Sequence, residues 1–335
     1  MFEAGIGKTP LVPVVIHCND LVRIAHFKLE MANPTGSAKD RTAAAIITQM
    51  HRERPFLPGD VVVESTSGNF GLAMGRLLNG ISCRLIAVTD PNTAPDMLRA
   101  LTERGVDVVL VDEPDGRGGY LLSRLRIVRE LCEANPSHRW SNQYENRANP
   151  LAHEKTTGPE ILAQAGPGLD AVFVAVSTGG TLAGVARFLR AAAPQVRIVA
   201  VDVEGSLALG GRSCRRLLTG IGASRASRFL APTAYDAVRF ATDARSFALC
   251  RMLHEDTGLY LGGSSGSVLS GLLSDLFEVD GPAMPVCVMP DGGERYKSTF
   301  YWDRWLLEQG VFADVRLIEK ELRTSGLYFE LQQEK

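Results

Sequence analysis

The chain has 335 residues, enough for two domains of ordinary size that each bury a core, which excludes a peptide or a disulfide-stapled miniprotein. Hydrophobic residues at 45% and charged residues at 22% match soluble globular proteins and exclude a disordered chain or a coiled coil. With 36 Lys and Arg against 38 Asp and Glu, the net charge of -2 provides no broad basic surface, so nucleic acid is disfavoured as a partner. From about residue 60 the chain alternates short β-branched runs with stretches of helical periodicity. Strands are expected at 61–64, 83–88, 106–111, 172–176, 197–202 and 286–289, and helices at 72–78, 97–103, 120–132, 182–192 and 246–255. This is an α/β pattern, for which mostly parallel sheets covered by helices are expected. A turn-rich stretch at 135–150 places the domain junction there, giving domains 1–147 and 148–315 with a charged tail at 316–335. The irregular segment 203–233 is expected to line a cavity, and the tail to form a terminal helix or to be partly disordered.

No apolar run reaches membrane-spanning length, and the opening MFEAGIGKTP lacks the basic flank and apolar stretch of a signal peptide, so a cytoplasmic protein without a membrane partner is expected. The six cysteines show neither zinc nor redox spacing. They are expected to be buried free thiols, and no metal site is expected.

Four polar, glycine-containing turns stand at the starts of helical runs, where α/β folds build ligand sites: NPTGSAKDR (33–41), STSGNFG (65–71), VSTGGTLAG (176–184) and LGGSSGS (261–267). A fifth, PDGGERYKST (290–299), follows the last strong strand. In VSTGGT two glycines allow close backbone approach and three hydroxyls open a helix, a combination suited to a phosphate held by N–H groups and the helix dipole. It matches neither the nucleoside-triphosphate nor the dinucleotide glycine pattern, and by itself it also reads as an ordinary βα turn. Lys39 stands where a helix begins; a surface lysine is the plain alternative, but a cation at the positive end of a helix is disposed to lose its proton, as an imine-forming lysine must. STSGN suits a carboxylate, although it and LGGSSGS could each be simply a capped turn.

Together and in this order, the five segments resemble the fold-type II pyridoxal 5'-phosphate enzymes of the cysteine synthase and cystathionine β-synthase family. That family carries N-P-x-x-S-x-K-D-R, T-S-G-N-x-G, G-T-G-G-T and G-[IG]-S-[SA]-G; GKTPL (7–11), NQYEN (142–146), TTGPEI (156–161) and GERYKST (293–299) extend the likeness over about the first 310 residues. The resemblance implies a two-domain fold in which an early segment crosses to the second domain, a homodimer, and a cofactor bound as a Schiff base to Lys39, later the base at Cα. It further implies Asn69 at the cofactor's 3'-oxygen, Ser177, Thr178, Gly179, Gly180 and Thr181 around its phosphate, and Ser264 at the pyridine nitrogen, where a neutral hydroxyl disfavours transamination. Thr66, Ser67, Asn69 and Gln143 would hold the substrate carboxylate, and closure of their loop would exclude water.

Departures from common cysteine synthases narrow the expectation. Ser177 replaces the first glycine of the phosphate loop, Tyr144 stands where Phe is usual, and ESTSGN (64–69), DPN (90–92), EPDGRGGYLLSR (113–124), GIGASR (220–225) and GGSSGS (262–267) occur together. This set resembles the N-(2-amino-2-carboxyethyl)-L-glutamate synthases of staphyloferrin B and 2,3-diaminopropionate pathways, which join O-phospho-L-serine to L-glutamate through an aminoacrylate. A dianionic leaving group needs extra donors, and Arg124, Tyr144 and Ser177 are of the right kind, with Arg225 a second candidate for the phosphate or the γ-carboxylate of glutamate. A cysteine synthase using O-acetyl- or O-phosphoserine with sulfide, and a non-catalytic amino-acid or partner-binding relative, stay open as alternatives.

Overall fold

A computed structural model describes residues 4–66, 68–117 and 119–332. The first half runs β1 (Leu11–Cys18), β2 (Leu21–Leu29), α1 (Lys39–Glu53), β3 (Val61–Ser65), α2 (Asn69–Asn79), β4 (Arg84–Thr89), α3 (Pro95–Thr102), β5 (Asp107–Leu110), α4 (Leu121–Ala134) and β6 (Arg139–Trp140). The second half continues with α5 (Ala148–Lys155), α6 (Thr157–Ala165), β7 (Ala171–Ala175), α7 (Gly180–Ala192), β8 (Arg197–Val203), β9 (Ala237–Ala241), α8 (Asp243–Thr257), α9 (Gly263–Leu276), β10 (Pro285–Met289), α10 (Asp303–Glu308), α11 (Phe312–Thr324) and β11 (Tyr328–Leu331).

Among the described residues the strands form two sheets. The smaller has the order β5-β4-β3-β6 and is parallel throughout; the larger has the order β11-β1-β2-β10-β7-β8-β9. In the larger sheet β10, β7, β8 and β9 run parallel to β2, whereas β1 pairs antiparallel with both β2 and β11. The hairpin of β1 and β2 thus precedes the smaller sheet in sequence but lies within the sheet of the second half. Residues 316–332 do not stand apart as a tail, and 333–335 lie outside the described residues. β11 pairs with β1, Phe329 is buried beside Val14 and Phe27, and α11 leads into that strand. The stretch chosen as a junction contains β6, which pairs with β3.

Both sheets are covered on two faces, which is why their strands read as unbroken apolar runs rather than alternating ones. Successive side chains of β7 point to opposite faces: Phe173 packs with Phe27, Leu253 and Leu269, while Val172 and Val174 pack with Leu182, Leu189 and Ile198. The smaller domain buries Ile46, Ile47, Leu72, Met74 and Leu85 between α1, α2 and the sheet. β2 had no strand signal because its core-facing end carries Lys28, which is 0% exposed. Its ammonium donates to Thr9 O, Glu160 Oε2 and Gln164 Oε1 at 2.6, 2.7 and 2.8 Å, the pairing a buried charge requires. The cysteines are free, as expected, but only Cys83, Cys250 and Cys287 are buried; Cys214 is exposed in the irregular segment.

Candidate active site

The five sequence turns converge at the carboxyl ends of parallel strands, the position at which open α/β sheets form clefts. Lys39 enters from the segment after β2, Thr66 and Asn69 follow β3, Ser177 to Thr181 follow β7, Asp291 follows β10, and Ser264 lies near the start of α9; all but Gly180 line one cavity with Gln143 and Tyr144. Ser67 falls outside the described residues. Thr219 and Gly220 of the irregular segment also contribute to the wall.

Lys39 is the first residue of α1. Desolvation lowers its ammonium from an ordinary value of 10.5 to about 8, against the opposing negative charge of Asp291. The neutral fraction near physiological pH is a minority but on the order of a hundredfold above that of an ordinary lysine, at about 1.36 kcal/mol per pKa unit, which makes this nitrogen available for attack on a carbonyl. Its helix is locked into the larger domain by Arg41, two residues on. That guanidinium donates to Glu30 Oε2 and Oε1 at 2.7 and 2.8 Å and to Glu160 Oε1 and Oε2 at 2.7 and 2.8 Å, tying α1 to the segment after β2 and to α6. Burial opposes ionisation of Glu160, but the hydrogen bonds from Arg41 and Lys28 hold its carboxyl at about 2.

The loop between β7 and α7 is built for close approach. Gly179 adopts a left-handed φ of +86°, and a Cβ there would fall 2.1 Å from Ser227 Oγ; a Cβ on Gly180 would fall 2.0 Å from Asn149 Oδ1. Asn149 Nδ2 donates to Thr178 Oγ1 at 3.2 Å, and Ser227 Oγ donates to Thr178 O at 2.7 Å. The first N–H groups of α7 lack helical partners and, together with the hydroxyls of Ser177, Thr178 and Thr181, form an anion cradle without a lysine. Behind it, buried His153 bridges α1 and α7 through contacts of 3.2 Å from Nε2 to both Thr42 Oγ1 and Thr181 Oγ1. Desolvation, and the charges of Arg41 and Lys39, keep this imidazole well below its ordinary pKa and therefore neutral. No motif in the sequence marks His153 or Asn149.

Asn69, at the start of α2, is fixed by residues that sequence reasoning left without roles. Arg295 donates to Asn69 Oδ1 and to Thr35 O, and Asn69 Nδ2 donates to Asp291 Oδ2 at 2.7 Å. Asn69 lines the cavity, and its amide also interacts with the hydroxyl of Tyr296. Tyr296 donates to the same Asp291 oxygen at 2.7 Å, and burial raises the Asp291 carboxyl. Arg295 and Tyr296 lie in the GERYKST segment, so the signal was present but carried no assignment.

Thr66 Oγ1 accepts from Gly68 N and Gly71 N at 3.2 and 3.1 Å, shaping the turn into α2. Gln143 is anchored by Nε2 to Ser65 O at 2.9 Å and by its backbone N–H to Glu64 Oε2 at 3.1 Å. Burial raises the Glu64 carboxyl to about 7, against hydrogen bonds from Ser141, Gln143 and Ser65. A side cleft holds Arg124, Tyr144 and Ser177 together; the latter two also face the Lys39 cavity. Arg124 is buried, with Nη1 3.3 Å from Asp90 Oδ2, yet its Nε and Nη1 have no hydrogen-bond partner among the described residues. Arg225 lies elsewhere. It pairs with Glu145 at 3.2 Å and stands over the Tyr144 ring at 5.6 Å, lining neither cavity.

The model of the pyridoxal-phosphate dependent enzyme family matches residues 2–291. The chain belongs to this family. It is 38% identical over 301 residues to an N-(2-amino-2-carboxyethyl)-L-glutamate synthase of Ralstonia nicotianae, covering 90% of this chain and 89% of the relative. Among solved structures it is similar to O-ureido-L-serine synthase, with a TM-score of 0.82 at 30% identity over 90% of this chain and 94% of that one. An O-acetylserine dependent cystathionine β-synthase from Helicobacter pylori superposes with a TM-score of 0.79 at 26% identity, covering 89% and 97% of the two chains. The enzyme is therefore pyridoxal-phosphate dependent, and its residues fit that cofactor. A cavity lysine with a depressed pKa suits the aldehyde, a glycine cradle suits the phosphate, and the hydroxyl of Ser264 and the amide of Asn69 at the cavity wall suit the ring. Among the described residues no helix is long and apolar enough to cross a membrane, and no group of His, Cys, Asp and Glu is arranged to hold a metal.

Proposed function

We propose that this enzyme catalyses β-replacement of O-phospho-L-serine by L-glutamate, giving N-(2-amino-2-carboxyethyl)-L-glutamate and phosphate on the way to 2,3-diaminopropionate. The observation that carries this reading is Arg124, a buried guanidinium with unpaired donors beside Tyr144 and Ser177 in a cleft that adjoins the Lys39 cavity. Asp90 pairs with its charge at 3.3 Å, but the donors left without hydrogen-bond partners suit a further anionic oxygen, which a phosphate ester supplies and an acetyl ester does not. The similarity to the Ralstonia synthase supports the same choice.

Lys39 would hold the cofactor aldehyde, Ser177 to Thr181 its phosphate, Asn69 its 3'-oxygen and Ser264 its ring nitrogen. When bound, pyridoxal 5'-phosphate supplies an electron sink that acidifies Cα and allows a group to leave Cβ. Thr66, Ser67, Asn69 and Gln143 grip the amino acid carboxylate and orient the Cα–H bond toward Lys39. Lys39 Nζ takes the Cα proton and later returns it. Arg124, Tyr144 and Ser177 receive the phosphate as the Cβ–O bond breaks, and Arg225 braces the Tyr144 ring from behind. The amine of glutamate then forms the new N–Cβ bond and gives up a proton. Arg295 and Asp291 keep Asn69 in register throughout. The homodimer rests on the family resemblance alone.

The test is to supply the purified holoenzyme with O-phosphoserine or O-acetylserine, each with glutamate or sulfide, and to weigh the products. Phosphate release with the glutamate adduct as the main product is expected. Arg124→Gln should raise KM for O-phosphoserine about tenfold or more while leaving O-acetylserine little changed. Product formed with sulfide alone would make the enzyme a cysteine synthase instead.

A further inference from the structure

A second cavity, of about 560 Å3, adjoins the site and is of the size that takes a small molecule. It is an antechamber rather than a separate chamber. Ala94, Thr219 and Tyr296 line it and the Lys39 cavity alike, and Tyr120, Arg216 and Leu218 line it and the Arg124 cleft alike. Among the described residues the only charged side chains on its wall are Arg215 and Arg216. Neither forms an ion pair with a described carboxylate, so the charged groups on the chamber wall beside the reacting centre are both cations. Asp202 and Asp243 sense the charge of Arg216 from behind, outside ion-pair distance.

The fold makes deliberate room for Arg216. A Cβ on Gly222, whose φ is +75°, would lie 2.1 Å from Nη1, and one on Gly205 would lie 2.8 Å from Cγ as well as 2.6 Å from Cys214 O. Arg216 Nη1 donates to Ile221 O at 3.1 Å, but Nε is buried without a hydrogen-bond partner. The next two residues are pinned to the start of α8, Leu217 N and Leu218 N donating to Asp243 at 2.6 and 3.2 Å, which holds the guanidinium against the chamber. A pinned arginine with an unanswered donor is a carboxylate receptor in form.

We propose that Arg216 binds the distal carboxylate of the incoming amino acid, with Arg215 drawing the anion in at the rim, so that this chamber selects a dicarboxylic nucleophile. This rests on the reading that the acceptor is an amino acid. An acceptor that presents its amine to Cβ beside Lys39 has the antechamber as the space for its other end, and Arg216 stands where that space meets the Arg124 cleft. The two guanidinium sites thereby divide the work: Arg124 faces the leaving anion and Arg216 the entering one.

The test uses the holoenzyme with O-phosphoserine and either glutamate or glutamine, which differ only in the distal charge, and measures first-turnover phosphate release without acceptor separately. The wild-type enzyme should favour glutamate about tenfold or more in kcat/KM. Arg216→Gln should raise KM for glutamate about tenfold or more, erase that preference and leave first-turnover release within about twofold; Arg216→Lys should recover part of the preference. Equal use of glutamate and glutamine by the wild-type enzyme would overturn the proposal whether or not the variants fold. So would a preference that survives Arg216→Gln, or a loss of first-turnover release that matches the loss for glutamate. If only sulfide yields product, the reading of the acceptor fails first; if glutamate reacts but Arg216 is indifferent, this proposal alone falls.

Discussion

Lys39→Met in the apoprotein tests the electrostatics of the site without reference to any substrate. The folded state holds the Lys39 ammonium at about 8 against an ordinary 10.5, so below pH 8 the protonated lysine opposes folding by at most about 3 kcal/mol, at 1.36 kcal/mol per pKa unit. Between those two values the unfolded chain binds more protons than the folded one, so wild-type stability rises with pH across that window. Methionine has a similar reach and no charge, and its stability lacks this slope. The variant should therefore be more stable than the wild type at pH 7 by up to about 3 kcal/mol, and the gap should shrink by about 2 kcal/mol at pH 9.5. Urea titrations of both apoproteins at the two pH values, followed by far-UV circular dichroism, measure the difference. A gap that stays constant with pH would refute the claim that desolvation of this ammonium sets its pKa, leaving only the packing gain of the methionine.

Two further substitutions probe the frame around that lysine. Gly180→Ala pushes a methyl group into Asn149 Oδ1, 2.0 Å away, and should weaken pyridoxal 5'-phosphate binding about tenfold or more in a fluorescence titration, with little change in apoprotein circular dichroism. Arg41→Met leaves buried Glu30 without its cation and Glu160 with Lys28 alone, which should cost about 3–5 kcal/mol in urea unfolding at pH 7. Because Glu160 is held at about 2 by this pairing, the wild-type advantage should fade as pH drops from about 4.5 toward 2, where protonation removes the charge. An advantage unchanged at pH 3 would count against the ion pair as its source.

What could be read along the chain was what depends on neighbours in sequence. Strands β3, β4, β5, β7 and β8 follow from short β-branched apolar runs and helices α2, α3, α4 and α7 from three-to-four spacing, and the turns that hold Lys39, Asn69, Ser177 to Thr181 and Ser264 are contiguous motifs whose chemistry travels with the local backbone. The β1–β2 hairpin was not legible because Pro13 and the buried Lys28 break the strand pattern, and Lys28 is tolerable only because Glu160, more than a hundred residues away, meets it. β11 is a strand because β1 offers it an open edge, not because YFEL demands one. The choice between Arg124 and Arg225 also belonged to the tertiary structure. Composition made the two equivalent, but Glu145 draws Arg225 outside the Tyr144 ring while α4 turns Arg124 inward. Asp291, His153 and Arg216 acquire their surroundings in the same way. Burial, charge pairing and orphaned donors are properties of space, and a linear sequence records them only where the partners are near in the chain.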